Sequence, residues 1–68
     1  METETRIRIM IIDDHPVVRA GLTSMLSTQP RIDVVGSAAS ALEALAMLET
    51  ILPDVILMDL RMPGMSGL

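Results

Sequence analysis

Residues Arg6 to Pro16 read RIRIMIIDDHP. After Arg8 the run is continuously apolar and rich in β-branched side chains, which suits a strand buried on both faces, as in a parallel sheet. Asp13, Asp14 and His15 follow at its C-terminal end. Pro16 then stands where a helix can begin, because the first helical position has no N–H bond to lose. The expectation is a first strand over Arg6–Ile12 that delivers two carboxylates to the start of a helix.

The elements that follow alternate. Pro16 to Ser27 sets Val17, Val18, Leu22, Met25 and Leu26 along one helical stripe. Gly21, which costs about 1 kcal/mol against Ala in a helix, is expected to permit close packing on the sheet. Pro30 closes this region, since proline cannot continue a helix. Ile32–Gly36, IDVVG, reads as a short second strand. Ser40 and Glu43 have the spacing of a capping box, opening a helix from Ala41 to about Leu52. Its apolar side is Leu42, Leu45, Met47, Leu48, Ile51 and Leu52. Pro53 and Asp54 break it, and Val55–Met58, VILM, forms a third strand running into Asp59. This βαβαβ order predicts an α/β fold with a parallel sheet and right-handed crossovers. Met1–Thr5 is a polar leader expected to fray.

Composition narrows the function classes. Sixty-eight residues, half of them hydrophobic but none Phe, Trp or Tyr, allow at most one small domain cored by Ile, Leu, Val, Ala and Met. The methionines read as fillers of core gaps. The absence of cysteine excludes disulfides and a thiolate zinc site. Five Arg and no Lys against nine acids give a net charge of −4, without the basic stripe of a nucleic-acid-binding module. Neither a signal peptide nor an apolar run of membrane-spanning length is present in the sequence. A soluble, cytoplasmic chain is expected.

The chemistry concentrates at strand ends. Asp13 and Asp14 follow the first strand and Asp59 follows the third, so a parallel sheet puts all three on one edge. If the first strand lies between the other two, a switch-point crevice opens there, where ligands of such sheets bind. Neighbouring strands run about 4.8 Å apart, so the carboxylates would converge. Clustered carboxylates call for a hard cation such as Mg²⁺. One acid can then act as a nucleophile toward phosphorus, and Asp59 has the position for it. Taken singly, Asp13 or Asp14 also reads as a helix cap and Asp59 as a turn residue; only the three together favour the site. His15, without a second His or Cys, reads as structural, and Arg61 as a solvated loop charge.

With these residues in place, IMIIDDHPVVRAGL and DVILMDLRMPGMSGL resemble segments of bacterial response-regulator receiver domains, in particular the NarL/FixJ type that carries a LuxR-type helix-turn-helix. The resemblance implies a flavodoxin-like (CheY-like) receiver fold with strand order 2-1-3 in the part spanned by residues 6–68. It implies Asp59 as phosphoacceptor, with Mg²⁺ held by Asp14, Asp59 and the backbone carbonyl of Arg61 and with Asp13 completing the acidic pocket. It implies a sensor histidine kinase as donor, no enzymatic activity of the domain's own, no membrane, and DNA contact only through a C-terminal domain outside these residues. Ser66 stands where many members have Asp, and it caps a helix equally well.

The family also uses a Thr or Ser after strand four and a Lys after strand five. Strands four and five, helices three to five and the DNA-binding domain are not among these 68 residues, so the segment by itself is not expected to switch. Strand three would be a bare apolar edge. A different class of reading follows: an interaction module that pairs through that edge with itself or with a complementary half. A nucleotide-binding half-domain is disfavoured, because no glycine-rich phosphate loop follows strand one.

Overall fold

The computed structural model describes residues 5–59. Arg61 and Ser66, and the roles expected of them, lie outside the described residues. The element order is β1 (Ile7–Asp13), α1 (Pro16–Ser27), β2 (Ile32–Ala38), α2 (Ala41–Met47) and β3 (Val55–Asp59). All three strands are parallel, in the order β2-β1-β3.

β1 is central, and Ile9 through Asp13 are buried without interruption. Alternation along the strand divides them between the faces. Met10 and Ile12 pack with Ala38 and Ala44, and with Met47 and Leu48 at the margin of the cluster. Ile9 and Ile11 therefore serve the opposite face, where α1 lies against β1 and β2. The crossovers run in opposite directions, from β1 to β2 through α1 and from β2 to β3 through α2, and the right-handed rule therefore puts the two helices on opposite faces.

The bounds of α1 agree with those expected, and Pro16 is its first residue. Its packing differs. Val17 is 84% and Met25 61% exposed, leaving Leu22 and Leu26 as the partly buried members of the stripe. A Cβ on Gly21 would meet nothing within 4 Å, so this glycine does not serve close packing.

β1 lies one residue later than expected, taking in Asp13 and releasing Arg6. β2 is longer than expected and runs past Gly36 to Ala38. Ile9 pairs with Val34 but Met10 with Gly36, so Val35 is the extra residue of a β-bulge. The glycine is thus internal to the strand. A Cβ there would lie 3.0 Å from Met47 Cε and 3.3 Å from Ile51 Cδ1, and its absence admits the end of α2 and the turn beyond onto the sheet.

α2 is shorter than expected and ends at Met47. Beyond it the Glu49 N–H donates to the Ala46 carbonyl (3.3 Å) and the Thr50 N–H to that of Met47 (3.0 Å). These bonds span three residues and tighten the chain out of the α-helix. The N-terminus is capped by Ser40 as expected, with the return bond from Glu43 displaced by one residue. Ser40 Oγ accepts from the Glu43 N–H at 3.1 Å, while Glu43 Oε1 accepts from Ala39, one residue outside the cap, at 3.0 Å. Leu42 and Leu45, read as core-facing, are 78% and 63% exposed; Ala44 is the buried residue of this helix.

β3 is held to β1 at its start by a two-sided contact. The Arg8 N–H donates to Asp54 Oδ2 (2.8 Å), the Asp54 N–H donates back to the Arg8 carbonyl (2.7 Å), and Arg8 Nε donates to the Leu52 carbonyl (3.0 Å). Register follows from this contact, because a slip of one residue would turn every β3 side chain to the other face.

Candidate functional site

That register carries the pairing upward from Ile9 opposite Val55 to Asp13 opposite Asp59. Each acid is the last residue of its strand, on the same edge of the sheet. In adjacent parallel strands, register partners stand about 4.8 Å apart and project to the same face. Asp59 is exposed, whereas Asp13 is 1% exposed.

Asp13 is tied into the turn that starts α1. Its Oδ1 accepts from the His15 N–H at 2.8 Å, and its carbonyl accepts from Arg19 Nη1 at 2.7 Å. The helix N-cap is His15, with no side-chain cap bond. Asp13 thus orders the residue before the helix and does not cap the helix itself. Asp13 Oδ2 is buried and has no hydrogen-bond partner among the described residues. A buried carboxylate oxygen without a partner is costly, and a cation is the group that satisfies it. By this criterion the site fits a divalent ion.

His15 stands beside these acids. Its Nδ1 lies 3.0 Å from Asp14 Oδ1 and 3.8 Å from Asp13 Oδ1. One ligand atom from each of Asp13, Asp14 and His15 falls within 4.8 Å of the others. Asp59 stands beside this group by strand register. The company of His15 is two carboxylates adjacent in sequence. Arg19 joins the site from one turn into α1, within reach of the strand end.

Asp13→Asn tests the cost of the buried oxygen. The amide keeps an oxygen for the His15 N–H and removes the charge, so stability without metal should rise by about 1 kcal/mol. The stabilisation conferred by added Mg²⁺ should shrink at the same time. Urea unfolding with and without Mg²⁺ reads both effects, and a metal-free protein weakened by the substitution would contradict the account.

Residues 9–68 match the family model of the response regulator receiver domain. The chain belongs to this family. The receiver segment is 53% identical over 62 residues to the uncharacterized transcriptional regulatory protein YhcZ of Bacillus subtilis, covering 91% of this chain and 29% of that protein. It is 50% identical over 68 residues to a protein-glutamate methylesterase/protein-glutamine glutaminase of Xanthomonas campestris, covering all of this chain and 19% of the relative. Among solved structures, the signal receiver domain of a putative response regulator NarL from Mycobacterium tuberculosis superposes with a TM-score of 0.76 at 43% identity. That match covers 90% of this chain and 49% of the other. The receiver segment therefore spans about half of a receiver domain structure and under a third of these two curated relatives. No helix among the described residues is long and apolar enough to cross a membrane.

Proposed function

We propose that this chain is the phosphoacceptor part of a cytoplasmic two-component response regulator, and that Asp59 takes the phosphoryl group from a phosphohistidine of a sensor histidine kinase. The observation that carries the reading is the register of Asp13 opposite Asp59 at the C-terminal edge of the sheet. A carboxylate oxygen of Asp59 attacks phosphorus as the bond from phosphorus to the histidine nitrogen breaks. The imidazole leaves with a proton, and Asp59 becomes an acyl phosphate. Asp13, Asp14, Asp59 and the backbone carbonyl of Arg61 are the groups proposed to hold Mg²⁺. When bound, the ion neutralises charge on the transferring oxygens. Asp13 keeps its carboxylate at the strand end through the His15 N–H, and Arg19 fixes the backbone beneath it.

The domain is read as an acceptor without enzymatic activity of its own. The proposed output is transcriptional control through a DNA-binding domain outside these 68 residues, the kind of activity named for YhcZ. The methylesterase relative marks the other output to be tested. The chain contains no lysine, so the cation that the family resemblance implies at the phosphoryl group must come from elsewhere. The test is phosphate uptake by the full chain from a phosphorylated histidine kinase. Uptake that needs a divalent cation, and that chelation abolishes, supports the reading; uptake indifferent to chelation removes the acidic pocket from it.

A second reading rests on β3. Val55, Ile56, Leu57 and Met58 are exposed among the described residues, as in a strand that pairs with another copy. Sedimentation separates the two, since a monomer at micromolar concentration leaves β3 without such a role.

A further inference from the structure

Two hydrogen bonds made by other residues set the backbone on either side of Asp14. The peptide that joins Asp13 to Asp14 presents the Asp13 carbonyl, and Arg19 Nη1 donates to that oxygen at 2.7 Å. Beyond Asp14, the His15 N–H donates to Asp13 Oδ1 at 2.8 Å and closes a turn over it. We propose that Arg19 is a positioning residue for the acidic pocket, and that by holding the Asp13–Asp14 peptide it keeps Asp14 in place to ligate Mg²⁺. The inference rests on the receiver reading of the pocket and extends it to a residue outside the proposed Mg²⁺ set.

The place of Arg19 in the fold suits this task. Its N–H makes the first helical bond of α1, to the His15 carbonyl at 2.9 Å, so the base of the side chain is fixed in the first turn. From there the partly buried guanidinium reaches back six residues, across the turn, to the end of the central strand. Rotating the Asp13–Asp14 peptide would break this bond and swing Asp14 with it. Groups that orient metal ligands are worth about 10–100-fold in metal affinity. The charge of Arg19 acts in the opposite sense, because a fixed positive charge near the pocket repels a cation. Loss of Arg19 therefore weakens Mg²⁺ binding if position dominates and tightens it if charge does. The sign decides between them.

Arg19→Met keeps most of the bulk and removes both donor and charge, whereas Arg19→Lys keeps a charge and a donor. Mg²⁺ titration of the full chain, followed by backbone amide resonances, reads binding by the folded protein. The dissociation constant should rise about tenfold in Arg19→Met and stay within about threefold in Arg19→Lys. A residue that merely ties α1 to β1 would lower the urea midpoint and leave Mg²⁺ affinity unchanged. A second measurement needs no variant. In the unsubstituted, metal-free protein the guanidinium protons of Arg19 should exchange with water at least about tenfold more slowly than those of exposed Arg31. Unchanged or tighter Mg²⁺ binding in Arg19→Met, or Arg19 protons that exchange as fast as those of Arg31, overturns the inference and leaves the receiver reading standing. Failure of Mg²⁺ to bind the unsubstituted protein overturns the inference and removes the acidic pocket from the receiver reading as well.

Discussion

Asp59→Asn should reduce phosphate uptake by the full chain to background, a loss of at least about a hundredfold. The substitution is nearly isosteric and Asp59 is exposed, so the fold should be unaffected. What changes is chemistry, because an amide oxygen is a poor nucleophile toward phosphorus. Asp13→Asn and Asp14→Asn serve as comparisons. Each removes a carboxylate proposed to hold the cation but leaves the nucleophile, so both should retain part of the uptake at raised Mg²⁺, whereas Asp59→Asn should gain nothing from it. Recovery of Asp59→Asn at high Mg²⁺ would mean that its carboxylate holds metal and does not accept the phosphoryl group.

Ile11→Ala should be severely destabilising. Ile11 is fully buried in the central strand, and an Ile-to-Ala truncation at such a site costs about 2–5 kcal/mol from lost burial and the cavity left behind. Small domains hold only about 5–15 kcal/mol in total, so the loss is a large part of the whole. Chemical unfolding of the full chain should show a lower midpoint with an unchanged slope. The same truncation at Leu42, which is mostly exposed, should cost under about 1 kcal/mol. Comparable losses at both positions would contradict the assignment of the core to β1.

The contrast between these positions shows what the sequence makes legible. A continuous apolar run ending in acids fits one environment, the middle of a parallel sheet, and β1 is found there. Pro16 and the Ser40–Glu43 pair act over one helical turn, so the starts of both helices could be read from neighbours alone. Periodicity does not say which apolar residues meet a partner. Val17, Leu42 and Leu45 have the right spacing, but among the described residues three strands with one helix on each face do not cover them all. Gly36 looks like a terminator when read alone, yet β2 runs on to Ala38. The role of the glycine emerges only with Met47 and Ile51 across the space its missing Cβ leaves.

The site divides in the same way. The three acids at strand ends were visible from order and spacing. Their register was not, because it depends on Arg8 and Asp54, which lie 46 residues apart and bond through backbone and carboxylate. Nor was the place of His15, since its hydrogen bond to Asp14 depends on how the turn between β1 and α1 folds.

The central claim is that the acid opposite Asp13 accepts the phosphoryl group. The most direct measurement is to phosphorylate the full chain with Mg²⁺ and a small-molecule phosphodonor, reduce it with borohydride, and sequence the peptides by mass spectrometry. Borohydride converts an aspartyl phosphate to homoserine. Homoserine is expected at position 59, with Asp13 and Asp14 unmodified. Homoserine at position 13 or 14, with Asp59 intact, would contradict the claim.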